Sequence, residues 1–277
     1  MQTIRRVAEL REALSALRAD GGRVALVPTM GALHAGHLSL VAEARRRASH
    51  VVASIFVNPL QFGVNEDLDR YPRRERADAA LLADEGVAIL WAPAADEMYP
   101  AGFASTISVS GITEGFEGAT RPGHFDGVAT VVAKLFGQVR PDVALFGEKD
   151  WQQLQLVRRM AGDLDLGVEV VGVPTMRDAD GVALSSRNAY LTPEARTAAR
   201  AMPRALGEAA AAIGRGTDPA DALAAARAML ERAGFEVDYL ALVDGATMAS
   251  IDRAAPGARI VAAARIDGTR LIDNLAV

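Results

Sequence analysis

The sequence predicts an α/β fold: a parallel sheet covered on both faces by helices, followed by a smaller α+β domain with an antiparallel sheet. Three observations predict it. Apolar runs rich in Val, Ile and Leu alternate with amphipathic stretches as far as Pro174, the pattern of strands buried on both faces. Several of those runs stop at short polar loops, "VPTMG", "FVNPLQF", "ALFGEKD" and "GVPTMRD", and a parallel sheet binds its ligands at such strand ends. After about Thr175 the order changes to Ala-rich helical stretches and then strands joined by a tight turn. The predicted boundary therefore divides residues 1–175 from 176–277.

Each element has its own signal. Thr3 to Ala19 reads as an amphipathic helix, with Val7, Leu10, Leu14 and Leu17 at helical spacing and Asp20-Gly21-Gly22 ending it. "RVALVP" reads as a buried strand, "HLSLVAEARRRAS" as a helix and "HVVASIFV" as a strand; "RRERADAALLADEG" and "VAILWAP" repeat the alternation. The segment Ala94 to Asp126 breaks it, being long and rich in Gly, Pro and polar residues. Loops of that length in a compact domain are usually functional, so a wall or lid over a site is expected. "GVATVVAKLFGQV" places Val128, Val131, Val132 and Leu135 on one helical stripe. "DVALFG" is a strand, "WQQLQLVRRMAG" a helix and "VEVVGVP" a strand. Beyond the boundary, "PEARTAARAMPRALGEAAAAIG" and "PADALAAARAML" read as two helices, the second capped by Asp218 with Pro219 at its first position. "VDYLALVD" and "ARIVAAARI" follow as strands, and Asp267-Gly268 turns the chain into "TRLIDNLAV", a hairpin. There is no internal repeat and no low-complexity linker.

Composition narrows the function. The chain has 277 residues, half of them hydrophobic, ample for one large core or two smaller ones. Its net charge of −5 argues against a nucleic-acid surface, which normally shows a basic face. The absence of cysteine excludes disulfides and thiolate zinc sites. The N-terminal "MQTIRRVAELREALSALRAD" has charges throughout and makes a poor secretory signal. No apolar run approaches the roughly 20 residues that span a bilayer. A soluble cytoplasmic protein with no membrane or nucleic-acid partner is expected.

The strand ends carry the chemistry. "VPTMGALHAGH" hands a strand over to a helix and holds His34 and His37, two of the chain's four histidines. A helix N-terminus is a natural anion site. Gly31 and Gly36 would let a phosphate approach the backbone, and the imidazoles can donate to its oxygens. A metal is the competing reading of His-x-x-His, but only His50 and His124 remain to complete a site. In "GEKD", Lys149 can hold a phosphate or carboxylate as a point charge, and Asp150 suits a ribose hydroxyl or magnesium. "LSSRN" sets Ser185 and Ser186 beside Arg187 at the expected inter-domain joint, a phosphate clamp on a movable loop. "FVNPLQF" supplies Asn58 and Gln61, amides that can specify a polar ligand. "EGATRPGHFDG" supplies Arg121, which can meet a substrate carboxylate or instead pair with Glu117 one helical turn away. Each stretch alone is also consistent with an ordinary turn or helix start.

Taken together, "PTMGALHAGH", "FVNPLQF", "EGATRPGHFDGVATVVAKLF", "FGEKD" and "DGVALSSRNAYL" resemble the pantoate–β-alanine ligase family, in the family's order and spacing. The resemblance covers essentially the whole chain and is weakest over roughly its last 80 residues. It implies a HIGH-type nucleotidyltransferase with a Rossmann-like N-terminal domain, acting as a homodimer. The implied reaction condenses pantoate with β-alanine using ATP and magnesium, through a pantoyl adenylate, and releases AMP and pyrophosphate. By position, the resemblance implies that His34 and His37 contact ATP phosphates, His37 as proton donor. Met30, Gly31 and Gly36 belong to the same nucleotide-binding stretch. Gly147, Lys149 and Asp150 form the ribose and phosphate loop, and the backbone at Met176 meets adenine. Leu184, Ser185, Ser186 and Arg187 form the mobile phosphate loop, while Gln61 and Gln153 hold pantoate. No magnesium ligand is assigned. The nearest alternative is another adenylyl-transferring enzyme of the superfamily acting on a small carboxylic acid. A non-catalytic nucleotide-binding regulator is a more distant one.

Overall fold

The computed structural model describes residues 1–63, 68 and 71–277. The chain runs β1 (Gln2–Ile4), α1 (Val7–Arg18), β2 (Val24–Thr29), α2 (Ala35–Arg47), β3 (His50–Ile55), α3 (Glu75–Asp84) and β4 (Ile89–Trp91). It continues through α4 (Ala95–Met98), α5 (Glu117–Thr120), α6 (His124–Val139), β5 (Val143–Gly147), α7 (Trp151–Asp163) and β6 (Glu169–Val173). The remainder holds α8 (Pro193–Ala198), α9 (Ala201–Gly214), α10 (Pro219–Arg232), β7 (Glu236–Asp244), β8 (Ala258–Ile266) and β9 (Thr269–Ala276). β1 to β6 form one six-stranded parallel sheet in the order β1-β4-β3-β2-β5-β6. β7, β8 and β9 form a separate antiparallel sheet. The architecture is Rossmann-like with a small α+β unit appended.

The continuous apolar strands are explained by two covered faces. Along β2, Val24 and Leu26 enter a core with Leu10, Leu14, Val128, Val132 and Leu154 of α1, α6 and α7. Ala25 and Val27 enter the opposite core with Leu40, Val41, Ala44 and Leu82 of α2 and α3. The second unit packs α9 and α10 on its sheet through Leu206, Leu230, Leu242 and Ile260. At the hairpin tip, Asp267 and Gly268 both have left-handed φ, 48° and 71°, the two-residue turn that matches strand twist.

Two elements differ from the sequence reading. The stretch from Thr3 is not helical at its start: Gln2–Ile4 pairs in parallel with β4, and the helix begins at Val7. Local periodicity is blind to a sheet edge that recruits three residues, one of them the fully buried Ile4. The long helix expected from Pro193 is two, α8 and α9. Pro203 has no N–H and crowds the carbonyl of Ala199. The chain instead makes tighter turns there, Arg200 N–H to Thr197 at 3.3 Å and Met202 N–H to Ala199 at 3.1 Å. The Ala94–Asp126 segment is a packed wall. Gln152 donates to the carbonyls of Ile112 and Gly115 at 2.7 and 3.0 Å, Thr130 accepts from Ile107 N–H at 3.0 Å, and Met98 is fully buried.

Strand order sets the site. β2 lies centrally, with β3, β4 and β1 on one side and β5 and β6 on the other. A topological switch point therefore lies between the carboxyl ends of β2 and β5. β9 is tied to this region from the other side: Asn274 Nδ2 donates to the carbonyls of Glu148 and Lys149, both at 2.9 Å. Arg177, which follows β6, makes a two-pronged bond to the buried Asp273 of β9 at 2.7 and 2.8 Å. Removing one partner of a buried pair strands a charge. Arg177→Ala is expected to destabilise the protein by about 3 kcal/mol, read as a lower urea midpoint, whereas truncating the exposed Arg204 leaves the midpoint nearly unchanged.

Candidate active site at the switch point

The turn between β2 and α2 is built around a carboxylate. Asp78, buried on α3, accepts from the N–H groups of Ala32 and Leu33 at 2.8 and 2.9 Å. This holds Ala32 at a φ of 51°, a region costly for a residue with a Cβ. His34 then caps α2: its Nδ1 accepts from Gly36 N–H at 3.1 Å. His37 Nδ1 accepts from His34 N–H at 3.3 Å. The rings lie 4.2 Å apart, tilted by 44°.

Those bonds fix the chemistry of the imidazoles. An N–H can only donate, so each Nδ1 must accept, which leaves the single proton of a neutral ring on Nε2. Burial pushes His37 down to about 3, with His34 and Lys149 adding to it. Burial and Lys149 also lower His34, while Asp150 opposes them. In the free protein both rings are thus neutral hydrogen-bond donors through Nε2. The expected backbone anion site is largely taken up internally: the N–H of Gly36 serves His34, and those of His37 and Leu38 serve the His34 carbonyl. The glycines also have another reason. A Cβ on Gly36 would lie 2.8 Å from the His34 ring, and one on Gly31 would press on Asp78 at 3.1 Å. They make room for side chains of the chain itself, and the ring N–H groups take the part expected of the backbone.

A cleft of about 930 Å³ opens between the parallel sheet and the β8–β9 hairpin. It brings together Lys149, Asp150, Gln153, Ser185, Arg187 and Arg121, six of the residues expected from sequence. Met30, Gly31, His34, Gly36, His37, Asn58, Gln61, Gly147, Met176, Leu184 and Ser186 are not in its lining. Several of them adjoin it. Leu184 lies against Gly36, 3.8 Å from where a Cβ would stand. Both histidines feel the Lys149 ammonium, and Gly147 ends β5 beside it. Ser185 Oγ accepts from Arg187 N–H at 3.3 Å, and Ser186 Oγ lies 3.5 Å from the Tyr71 hydroxyl. Met176 is exposed, and its carbonyl accepts from Leu184 N–H at 2.9 Å.

The amide-bearing loop is more internal than expected. Asn58 is 1% exposed. Its Nδ2 donates to the Gly127 carbonyl at 3.0 Å and to Gln61 Oε1 at 3.1 Å, while its Oδ1 accepts from Leu60 N–H at 3.2 Å and Tyr99 O–H at 2.8 Å. Every hydrogen-bonding position of that amide is occupied within the chain, whereas the sequence reading has Asn58 facing substrate. Gln61 Nε2 faces only the weak acceptor Met30 Sδ, at 3.1 Å. The alternative pairing of Arg121 is also present: its Nη1 lies 3.8 Å from Glu117 Oε2 and 3.0 Å from His124 Nε2. His124 Nδ1 donates to the Gln61 carbonyl at 2.8 Å.

Two participants escaped the sequence reading. Asp78 sits in a stretch of mixed charges on an amphipathic helix, and no local pattern marks it. Glu117 is more than a neighbour of Arg121. Burial pushes its carboxyl up, but the Arg270 guanidinium outweighs this and holds it below the usual range. Arg270 reaches it from β9 at 2.9 and 2.5 Å, and the Tyr239 hydroxyl at 2.9 Å. Only the fold brings β7 and β9 to it.

Fold and cleft define a Rossmann-like α/β protein with cationic and hydrogen-bond-donating groups gathered at its switch point, a site for a phosphate-bearing ligand. The chain belongs to the pantoate-beta-alanine ligase family, whose model matches residues 2–276. A pantothenate synthetase of Rhizorhabdus wittichii is 64% identical over 278 aligned residues, covering 100% of this chain and 99% of the relative. The crystal structure of pantothenate synthetase from Thermus thermophilus superposes with a TM-score of 0.95 at 53% identity, covering 99% of each chain. That of the Francisella tularensis ligase, complexed with "Beta-gamma ATP" and β-alanine, has a TM-score of 0.84 at 31% identity, covering 100% of this chain and 97% of that one.

The depressed His37 has a signed consequence for stability. Between pH 6.5 and about 3 the unfolded chain binds this proton and the folded one does not, so stability falls as pH falls through that window. Above 6.5 the ring adds no pH dependence. His37→Asn removes the titration, and thermal melts of that variant are expected to lose less with acidification between pH 6.5 and 4 than those of the parent.

Proposed function

We propose that the residues at the switch point and around the cleft carry out both half-reactions of the family's chemistry. The enzyme condenses pantoate with β-alanine using ATP, through a pantoyl adenylate, and releases AMP and pyrophosphate. The observation that carries the residue assignment is the meeting of Lys149, Ser185 and Arg187 in one cleft with Gln153 and Arg121.

In the first half-reaction a pantoate carboxylate oxygen attacks the α-phosphorus, and the bond to pyrophosphate breaks. Charge accumulates on the leaving oxygens. The Nε2–H groups of His34 and His37, the Lys149 ammonium and the Ser185–Ser186–Arg187 segment receive it. Backbone around Met30 and Met176, with Gly147, Asp150 and Leu184, frames the nucleoside. Gln61 and Gln153 hold pantoate, and Arg121 lies near its acidic end. In the second half-reaction the neutral amine of β-alanine attacks the pantoyl carbonyl carbon. The bond to AMP breaks and the nitrogen sheds a proton. Positioning supplies much of this step, and the Ala94–Asp126 wall keeps water from the anhydride.

His37 acts as a hydrogen-bond donor through Nε2, because its ring is neutral in the free enzyme and its Nδ1 accepts from the His34 N–H. Magnesium fits the donor set in one way. Among the described residues no three His, Cys, Asp or Glu side chains cluster as a cage, and the half-exposed Asp150 carboxylate lies in the cleft. One carboxylate plus substrate phosphates is the usual way this ion is held. Asp150 would hold it, and when bound it offsets phosphate charge. Residues 1–175 and 176–277 act as two domains, the chain pairs as a homodimer, and it works in the cytoplasm. Among the described residues no helix is long and apolar enough to cross a membrane.

Isotope exchange between pyrophosphate and ATP, without β-alanine, isolates the first half-reaction. Exchange is expected only with pantoate present, and adding β-alanine should yield pantothenate and AMP in equal amounts. Exchange independent of pantoate would favour a different acid substrate. His37→Ala is expected to slow exchange by about 10²–10³-fold, the range for one lost charge-stabilising donor. Arg187→Ala should slow the same half-reaction, and a loss confined to the β-alanine step would remove Arg187 from the phosphate site. Chelation with EDTA should abolish exchange and added magnesium restore it.

A further inference from the structure

The amide of Gln61 can face a ligand in two ways, as a donor or as an acceptor. The side chains behind it decide which. The Gly127 carbonyl can only accept, so the Asn58 group facing it, 3.0 Å away, must be Nδ2. The Leu60 N–H can only donate, so the atom it meets at 3.2 Å must be Oδ1. Both constraints agree on which atom of Asn58 is the nitrogen and which the oxygen. Its second Nδ2 hydrogen then goes to Gln61 Oε1 at 3.1 Å. The oxygen of Gln61 is thereby turned to Asn58 and its NH2 to Met30 Sδ. Met30 Sδ, the only partner of Nε2 among the described residues, is a weak acceptor that a ligand oxygen would displace.

The last position on Asn58 is filled by Tyr99, whose hydroxyl donates to Oδ1 at 2.8 Å. The Tyr99 ring is held by Phe56 and Phe103, with centroids at 6.0 and 5.0 Å. The Lys134 ammonium lies 5.9 Å from the Tyr99 centroid and 4.8 Å from that of Phe103. Burial raises the Tyr99 hydroxyl well above the usual tyrosine range, so it stays protonated and able to donate.

We propose that Tyr99 is a positioning residue for the acid substrate: through Asn58 it holds the Gln61 amide with its N–H groups presented to a substrate oxygen. The inference rests on Gln61 being a pantoate contact, and the experiment separates the two. The kcat/KM for pantoate is measured by pyrophosphate exchange in the parent, Tyr99→Phe, Gln61→Ala and the double variant, with KM for ATP and a thermal melt for each. Phenylalanine keeps the ring contacts and removes only the hydroxyl. Tyr99→Phe is expected to lower kcat/KM for pantoate by about three- to tenfold, the worth of one hydrogen bond. In the Gln61→Ala background the same change should cost less than about twofold, because residues acting through one another are not additive. KM for ATP should stay unchanged throughout. Asn58→Asp forms a second arm. It deprives Gln61 Oε1 and the Gly127 carbonyl of their donor, and kcat/KM for pantoate should fall by at least as much as in Tyr99→Phe. If Gln61→Ala leaves kcat/KM for pantoate unchanged, the substrate-contact reading itself falls. If Gln61→Ala is impaired while Tyr99→Phe is harmless, or costs the same factor in both backgrounds, the contact stands and the role of Tyr99 falls. An unchanged Asn58→Asp would likewise overturn it.

Discussion

A carboxylate that pairs with no cation among the described residues holds the two-histidine end of this site. Asp78 takes two backbone N–H groups of the β2–α2 turn and is buried with them. Such bonds to a charged acceptor are stronger than neutral ones, and they offset the backbone strain at Ala32. The rest follows by connection. With residues 31–33 fixed, His34 enters α2 at an angle that lets its ring fold over Gly36. That ring and the backbone N–H of His34 then place His37. The negative charge is engaged on the far side of the turn, so it supports the site's frame without being offered to a phosphate.

The opposite wall depends on charged groups that the second unit brings over. Glu117 receives Arg270 and Tyr239, Asp273 receives Arg177, and Asn274 grips the backbone of Glu148 and Lys149. Arg259 adds a cation 3.5 Å above the Trp151 ring, whose indole N–H donates to the Gly245 carbonyl at 2.7 Å. Buried pairs of this kind gain little net stability over apolar packing, but they are costly to break singly. They resist sliding of one unit past the other, and so keep Lys149 in register with the hairpin.

Much of this was legible in the sequence, for identifiable reasons. The alternation of apolar runs and amphipathic stretches is a local signal, and β2 to β6 follow it closely. The hairpin turn at Asp267-Gly268 was equally plain, because two consecutive left-handed positions demand that chemistry. What escaped was decided elsewhere in the chain. β1 exists because β4 offers an edge, and Asp78 matters because α3 packs beneath the β2–α2 turn. The residue types at the strand ends were readable, but their division of labour was not. Asn58 and Gln61 are both amides in one loop, and the carbonyl of Gly127 and the hydroxyl of Tyr99 fill the positions of the first, while the NH2 of the second meets only a sulfur among the described residues.

The electrostatic plan separates two kinds of donor. Lys149, Arg187 and Arg121 bring cationic side chains to the cleft, whereas the two imidazoles are kept neutral by burial and by the Lys149 charge, with His34 adding to the effect on His37. Two imidazolium rings 4.2 Å apart beside a lysine, with only Asp150 opposing, would repel one another and weaken the fold. Neutral rings avoid that cost and still donate through Nε2. On the proposed assignment a triphosphate meets these neutral Nε2–H groups together with the cations, and the bonds they donate strengthen as negative charge grows on its oxygens. A site so built is stable empty and, on the proposed assignment, strongest when phosphate charge is greatest, which is the differential binding a transition state requires.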